Sequence, residues 1–184
     1  ALNLIKEFNP QICFHLAAQS SVVVSVGDPL LDFEHNILQP VQLIKTLLST
    51  DCSKFVFASS GGTIFGEPSI LPTGEDDFAG EPESPYGIGK KKLNEIIKSM
   101  TINTHMSYSI LNLSNVYGPR QDPHGEAGVV SIFSDKILNN EKPIIYGDGE
   151  QTRDYIYVKD VVNALILSSK IDSNLFLNIG TGIE

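Results

Sequence analysis

A tyrosine stands four residues before a lysine at two places in the sequence, and such a pair can carry out proton transfer. The pairs are Tyr86 with Lys90 and Tyr155 with Lys159. A free tyrosine has a pKa of about 10. A nearby ammonium group favours the phenolate, and it therefore lowers this pKa towards the value that a general base needs at neutral pH.

Local geometry separates the two pairs. Residues four apart on a helix share a face, with about 5–6 Å between their Cβ atoms, whereas four residues of an extended strand span roughly 13 Å. Ser84 and Pro85 provide a helix start just before Tyr86, while the stretch from Tyr155 is predicted to be extended. We therefore expect Tyr86 and Lys90 to act together, although the motif alone fits an exposed tyrosine and a surface lysine equally well.

The elements that would position these residues alternate between strand and helix. Four short apolar runs are candidate buried strands: Ile12 to Leu16, Lys54 to Ala58, Tyr108 to Leu113 and Leu175 to Ile179. Apolar residues at three- and four-residue steps predict helices: Leu30 to Leu48, Ser84 to Met100, Gly128 to Leu138 and Val158 to Leu167. This order predicts an α/β, doubly wound (Rossmann-like) parallel sheet with helices on both faces. Residues 67–85 are expected to form one long surface loop.

Length, charge and cysteine content narrow the class of protein. A chain of 184 residues can bury one substantial core, and a formal net charge of -9 disfavours nucleic acid, whose binding depends on clustered basic residues. No apolar run approaches the roughly 20 residues needed to span a bilayer. With no secretory leader at the start of the sequence, a cytoplasmic location is expected. Cys13 and Cys52 lack zinc-ligand spacing, so we expect no metal site.

Five segments in a fixed order carry a resemblance to a known family. They are Phe14–Ala18, Phe57–Gly66, Ser84–Lys90, Asn115–Arg120 and Tyr146–Tyr155. Together they resemble the NAD-dependent epimerase/dehydratase family of extended short-chain dehydrogenases/reductases, and within it the UDP-glucose 4-epimerase group. The resemblance extends from Ile12 to Gly182, and five ordered motifs are far more specific than one.

The resemblance implies a sugar-nucleotide 4-epimerase that uses NAD. In that family pattern Tyr86 would take the proton from the sugar 4-hydroxyl, and Lys90 would hold the cofactor ribose and lower the pKa of the tyrosine. Hydride would pass from sugar C4 to NAD and return to the opposite face after the keto-sugar has turned. The implied substrate is a UDP-sugar of the glucose/galactose type.

The resemblance also assigns binding roles. Cofactor contacts would come from Ala17, Ala18, Asn36 and Ser59, and Asn115 and Arg153 would bind the substrate diphosphate, for which arginine has a suitable forked geometry. Val129, Ile144 and Tyr146 would frame the uridine. Each of these residues also has an alternative interpretation without a binding role. The two alanines could simply pack in a loop, the arginine could be an ordinary surface residue, and the three candidate uridine residues could belong to the hydrophobic core.

One position departs from the family pattern. Gly61 stands where the family usually has serine or threonine, so the hydroxyl that binds the sugar would have to come from Thr63 or Ser60. The acidic residues that dehydratases carry nearby are absent at Gly61, Gly62 and Thr63, which disfavours elimination chemistry. The nearby acidic run, Glu75 to Asp77, is expected to be a solvated turn.

The glycine-rich loop that would cradle the cofactor pyrophosphate does not occur before Ile12. We therefore expect a fragment: a partial NAD-binding domain over residues 1–114, and a region with substrate loops and the last strand over 115–184. Such a fragment should bind NAD weakly and be inactive alone. A homodimer through the helices Leu30 to Leu48 and Leu93 to Met100 is expected. A 4-keto reductase or related nucleotide-sugar enzyme, and a non-catalytic binding module, remain the alternatives.

Overall fold

The computed structural model describes residues 2–77, 80–124 and 128–184. The strands within these ranges are β1 Ile12–His15, β2 Lys54–Ser60, β3 Ser107–Leu113, β4 Asn115–Tyr117, β5 Tyr155–Tyr157 and β6 Leu175–Ile179. The α-helices are α1 Leu2–Phe8, α2 Val22–Gly27, α3 Pro29–Phe33, α4 Gln39–Leu47, α5 Gly61–Ile64, α6 Pro85–Thr101, α7 Val129–Leu138 and α8 Val158–Ser169. A π-helical turn, Glu34–Leu38, joins α3 to α4.

The main sheet is parallel, with the strand order β1-β2-β3-β6. All four predicted strands are therefore confirmed, and their ends differ by one or two residues. The largest difference is at β2, which continues to Ser60 because its pairing with β3 extends as far as Ser60 opposite Leu113. This extension brings Ser59 and Ser60 to the carboxyl end of the sheet, the edge at which open α/β sheets bind ligands.

Helices cover both faces of the sheet, as the alternating pattern predicted. Phe55 and Phe57 of β2 pack on one face, in a cluster whose helical members are Ile44, Leu47, Leu93 and Ile97. Val56, which points the other way on the same strand, packs against Val161 and Leu165 of α8. The core therefore has two layers, and α6, which carries Tyr86 and Lys90, belongs to the first.

The helix predicted from Leu30 to Leu48 is observed, but its middle is a π-helical turn and not an α-helix. Pro40 has no N–H to donate to the carbonyl of Asn36, and its ring crowds that carbonyl. The helix widens there into a π turn, in which Gln39 donates its N–H to the carbonyl of Glu34, five residues back. The predicted start is confirmed, because the side chain of Asp28 caps Leu31 at 3.0 Å and Pro29 follows it.

Several features were not predicted. The short parallel sheet of β4 and β5 stands apart from the main sheet, and α2 begins at a serine cap, where Ser21 Oγ accepts from Val24 N at 2.9 Å. The solvated-turn prediction is wrong for two residues: Glu75 accepts a hydrogen bond from Asn178 N (2.9 Å), and Asp77 accepts one from Gly74 N (2.7 Å). Among the described residues, no helix is long and apolar enough to cross a bilayer.

Candidate active site

The start of α6 is held by two hydrogen bonds. Ser84 Oγ accepts from Gly87 N at 3.1 Å, which makes Ser84 the predicted N-cap. Ser25 Oγ of α2 accepts from Tyr86 N at 3.2 Å, and Ser25 is fully buried. Because the first N–H groups of a helix have no partner within it, these two contacts satisfy groups that would otherwise be unpaired and fix the backbone of Tyr86.

Lys90 follows Tyr86 by one turn on the same helix and points to the same side. Its Nζ atom lies 5.7 Å from the centre of the Tyr86 ring and 4.7 Å from the centre of the Phe57 ring. It donates to the carbonyl of Ala58 at 3.0 Å, and the residue is only 4% exposed. The predicted arrangement of the pair is therefore observed, and the surface-lysine alternative is wrong.

Burial governs the charge of this lysine. Desolvation lowers the pKa of Lys90 to about 8, while the carboxylate of Asp32 opposes the shift. The ammonium form still predominates at neutral pH, and in a poorly solvated site its field acts strongly on the adjacent phenol. Burial, and then the charge of Lys90, lower the pKa of His15 to about 4, so this neighbour is neutral.

The loop after β1 is fixed by an amide from the π turn. Asn36 Oδ1 accepts from Gln19 N at 3.0 Å, and Asn36 Nδ2 donates to Gln19 O at 2.8 Å and to Asp32 Oδ1 at 2.9 Å. Both amide hydrogens are therefore used within the protein. Ala17 and Ala18, just before Gln19, are exposed, so the loop-packing alternative does not describe them.

Three hydroxyl groups stand near the end of β2. Ser59 Oγ and Thr63 Oγ1 are buried and, among the described residues, have no hydrogen-bond partner. Ser60 is half-buried and makes no side-chain cap for α5. The backbone of Thr63 is next to α6, because a Cβ added to Gly87 would lie 2.8 Å from the Thr63 carbonyl oxygen. Thr63 therefore packs against the residue that follows Tyr86.

Gly61, the position that departs from the family pattern, packs closely on β3. A Cβ placed on Gly61 would lie 3.2 Å from the carbonyl oxygens of both Asn112 and Leu113. That separation is tighter than ordinary van der Waals contact, so a serine or threonine here would require β3 or α5 to shift by a few tenths of an ångström. The close approach of α5 to β3 therefore favours glycine.

The two candidate diphosphate ligands occupy adjacent backbone positions. Asn115 begins β4, and its N–H donates to the carbonyl of Asp154 at 3.0 Å, which places it beside the residue that follows Arg153. Arg153 is exposed, and its guanidinium donates to the carbonyl of Thr152 at 2.6 Å. The pairing of β4 with β5 thus brings together residues that lie far apart in sequence.

The three candidate uridine residues are not core positions. Val129, Ile144 and Tyr146 are 37%, 59% and 81% exposed. Val129 opens α7, and the other two lie in the segment between α7 and β5. All three side chains are therefore available at the protein surface.

The residues at the carboxyl end of the sheet fit a dinucleotide cofactor. Lys90 has three N–H donors, and one of them is directed to Ala58 O. The small, exposed side chains of Ala17 and Ala18 leave the backbone after β1 open to close approach. Ser59 adjoins Ala58, the residue whose carbonyl Lys90 contacts. Its hydroxyl, which has no hydrogen-bond partner among the described residues, adds a further polar group there.

Sequence reasoning missed several residues that shape this site. Ser25 accepts the hydrogen bond from the N–H of Tyr86, 61 positions away, and no local sequence pattern indicates this contact. Asp32 was missed although it stands four residues before Asn36, a helical spacing that could have signalled the hydrogen bond between the two side chains. His15 stacks with the rings of Phe55 and Phe57. In the sequence it lies in an apolar run, so nothing there indicated a role beyond ordinary packing.

Comparisons with known proteins agree with this geometry. A family model described as "NAD dependent epimerase/dehydratase family" matches residues 2–180. The chain is 47% identical to a putative UDP-glucose 4-epimerase of Methanocaldococcus jannaschii over 95% of this chain and 56% of that protein. It is 44% identical to the UDP-glucose 4-epimerase of Mycolicibacterium smegmatis over 98% of this chain and 58% of that one.

A solved structure shows the same fold. The UDP-glucose 4-epimerase of Thermotoga maritima, solved with UDP-glucose, superposes with a TM-score of 0.94 at 42% identity. The match covers 99% of this chain and 59% of that one, so the chain spans a little over half the length of the relatives it matches. The family model, the sequence relatives and the superposition agree, and the chain belongs to the NAD-dependent epimerase/dehydratase family.

Proposed function

We propose that the whole protein is an NAD-dependent sugar-nucleotide 4-epimerase that interconverts UDP-glucose and UDP-galactose. The observation that carries this proposal is the buried ammonium of Lys90, 5.7 Å from the Tyr86 ring, on a helix packed at the carboxyl edge of a parallel sheet. The relatives named above are UDP-glucose 4-epimerases, which supports the choice of reaction.

Tyr86 acts as the general base and acid in this proposal. The positive charge of Lys90 favours the phenolate, which accepts the proton of the sugar 4-hydroxyl and returns it when the hydroxyl is restored. NAD, when bound, supplies an acceptor and donor for the hydrogen on sugar C4. Thr63, or else Ser60, donates a hydrogen bond to the sugar hydroxyl and aligns it with Tyr86.

The remaining residues bind rather than react. Lys90 holds the ribose of the cofactor, next to the positions Ala17, Ala18, Asn36 and Ser59. Asn36 acts mainly through the Gln19 backbone, since both of its amide hydrogens are engaged there and at Asp32. On the substrate side, Asn115 and Arg153 bind the diphosphate, and Val129, Ile144 and Tyr146 frame the uridine.

The assembly is proposed to be a homodimer. Leu30 of α3, Leu38 of the π turn and Ile88 of α6 are 80%, 57% and 40% exposed, on elements that contact one another. Burying such apolar side chains against a second copy would be favourable. Sedimentation of the whole protein tests this, and a monomer at micromolar concentration would contradict it. The cytoplasmic location stays a prediction.

The experiment that tests the function compares two tyrosine variants of the whole protein. Tyr86→Phe should lower kcat for conversion of UDP-galactose by about 10²- to 10⁴-fold. Tyr155→Phe, in the second Tyr-x-x-x-Lys stretch, should retain activity. Equal losses in both variants would contradict the assignment. Consumption of NADH with a 4-keto sugar, without epimerisation, would identify a reductase, and no turnover by the wild type would favour a binding module.

A further inference from the structure

The carboxylate of Asp154 lies where the two sheets meet. Its Oδ1 atom accepts hydrogen bonds from Thr181 N (3.0 Å) and Thr181 Oγ1 (2.8 Å), and its Oδ2 atom accepts from Gly182 N (2.9 Å). Ser114 Oγ lies 3.5 Å from Oδ1. The side chain of Asp154, just before β5, therefore contacts both the loop that follows β6 and Ser114, the residue that precedes β4.

The surrounding backbone is shaped to admit this carboxylate. A Cβ on Gly180 would overlap Asp154 Oδ2, so only glycine leaves room for the oxygen. Gly182 adopts a φ of 73°, in the left-handed region that favours glycine, and this conformation accompanies the N–H bond to Asp154. Gly180 and Gly182 thus allow the loop after β6 to approach the carboxylate of Asp154 closely.

The carboxylate is charged at neutral pH. Partial burial raises the pKa of Asp154, but hydrogen bonds from Thr181, Gly182 and Ser114 together outweigh burial and hold the pKa below its ordinary value. Hydrogen bonds to an ionised acceptor are stronger than those between neutral groups. Asp154 is therefore a firm anchor for the loop, in contrast to the exposed side chains around it.

The neighbours of Asp154 are the two proposed diphosphate ligands. Arg153 precedes it directly, and Asn115 N donates to its carbonyl at 3.0 Å. The guanidinium of Arg153 donates a hydrogen bond to the carbonyl of Thr152, the adjacent residue. The direction of its guanidinium therefore depends on the backbone of residues 152–154, which Asp154 fixes.

We propose that Asp154 is a positioning residue, which sets Asn115 and Arg153 at the distance that a nucleoside diphosphate requires. The inference rests on the proposed function for the identity of the ligand. Asp154 itself does not touch the substrate. It acts by joining β4, β5 and the loop after β6 into one unit, so that the two ligands move together.

The test measures the binding of UDP to the whole protein by calorimetry, without any sugar or turnover. Asp154→Asn places an amide where four donors converge. It should release the loop and weaken UDP binding by up to about 100-fold, the equivalent of one hydrogen bond to a charged group. Asp160→Asn, an exposed aspartate in the first turn of α8, is the matched control and should bind UDP as the wild type does.

A milder variant guards against simple misfolding. Thr181→Val, at an exposed position, removes the hydroxyl that donates to Asp154 and also contacts the backbone of Ile183, while it keeps the Thr181 N–H bond to Asp154. It should weaken UDP binding less, in the same direction. In turnover, both variants should raise KM for the nucleotide sugar with little change in kcat. A purely structural role would lower Tm and leave the KM of the folded protein unchanged.

The outcomes separate the two proposals. Unchanged UDP affinity in Asp154→Asn and Thr181→Val would overturn the positioning role, even if the wild type is an active epimerase. Loss of UDP affinity in both, in a protein that binds UDP but does not epimerise, would support the positioning role and reject the reaction. A wild type that does not bind UDP would overturn the positioning role.

Discussion

Helix α6 and the region around β5 are built in different ways. On α6, Lys90 is almost fully buried, and the backbone of Tyr86 is tied to Ser25 in the core. Near β5, Arg153 and Tyr146 are exposed, and the backbone beside Arg153 is held by the pairing of β4 with β5 and by the hydrogen bonds of Asp154. In the proposed function α6 carries the chemistry and the region around β5 binds the nucleotide, so substitutions in the two regions should affect different kinetic constants.

The largest effect is expected at Lys90. Lys90→Met removes the buried charge that lies 5.7 Å from the centre of the Tyr86 ring, and it should lower kcat by about 10²- to 10⁴-fold. Lys92→Met, which loses an exposed lysine paired with Glu95 at 2.9 Å, is the matched control and should keep kcat. Comparable kcat in the two variants would remove the basis for treating α6 as the chemical centre.

The same variant tests the cost of burying the charge. The pKa of Lys90 lies near 8 in the folded protein and at 10.5 ordinarily, so the unfolded chain holds this proton more tightly. The free energy of unfolding of the wild type should therefore rise, relative to that of Lys90→Met, as the pH goes from 8 to 10.5. Denaturant titrations at several pH values check this; a difference that falls over that window would contradict the burial account.

An intermediate effect is expected at Thr63, whose backbone packs against α6. Thr63→Val keeps the shape of the side chain and removes the donor, and it should lower kcat by about 10- to 100-fold, the cost of one hydrogen bond to a charged or reacting group. Ser60→Ala should change kcat less. The reverse order would assign the sugar contact to Ser60 and show that proximity to Gly87 is not the deciding feature.

A smaller effect, on a different constant, is expected at Arg153. Arg153→Lys keeps the charge but loses the forked pair of donors, and it should raise KM for the nucleotide sugar by about tenfold, a change of about 1.4 kcal/mol. The value of kcat should remain near that of the wild type. A fall in kcat with unchanged KM would erase the distinction between the two regions.

The smallest effect is expected at Ser25. Ser25→Ala leaves the N–H of Tyr86 without its partner, and it should lower the free energy of unfolding by about 1 kcal/mol. Ser84→Ala, which removes the N-cap of the same helix, should cost a similar amount of about 1 kcal/mol. If Ser25→Ala lowers kcat more than Ser84→Ala does, the hydrogen bond between Ser25 and Tyr86 positions Tyr86 for the reaction in addition to stabilising the fold.

Local spacing explains what the sequence could predict. The Tyr86 and Lys90 arrangement follows from a capped helix and a separation of four residues, and the four strands follow from short apolar runs. The π turn before Pro40 was missed although proline signalled a break, because the apolar stripe continued through it. Two hydrogen bonds join residues that are far apart in sequence. Tyr86 bonds to Ser25, 61 positions away, and Thr181 bonds to Asp154, 27 positions away, so only the folded chain reveals these contacts.

The choice between Thr63 and Ser60 shows the same limit. Both hydroxyls are near the end of β2 in sequence, and neither their type nor their spacing separates them. The difference comes from α5, a turn that local patterns did not predict, which sets Thr63 against Gly87. The acidic loop is similar, since Glu75 is bound by Asn178, a residue 103 positions away.

A single isotope measurement tests whether Tyr86 and Lys90 serve a reversible oxidation at sugar C4. The whole protein is incubated with UDP-galactose that carries deuterium at C4, and the UDP-glucose formed is analysed by mass spectrometry and NMR. The account predicts that the deuterium stays on C4 while the configuration inverts, and that Tyr86→Phe slows the conversion by about 10²- to 10⁴-fold. Inversion with loss of deuterium to water, or inversion at the wild-type rate in Tyr86→Phe, would contradict it.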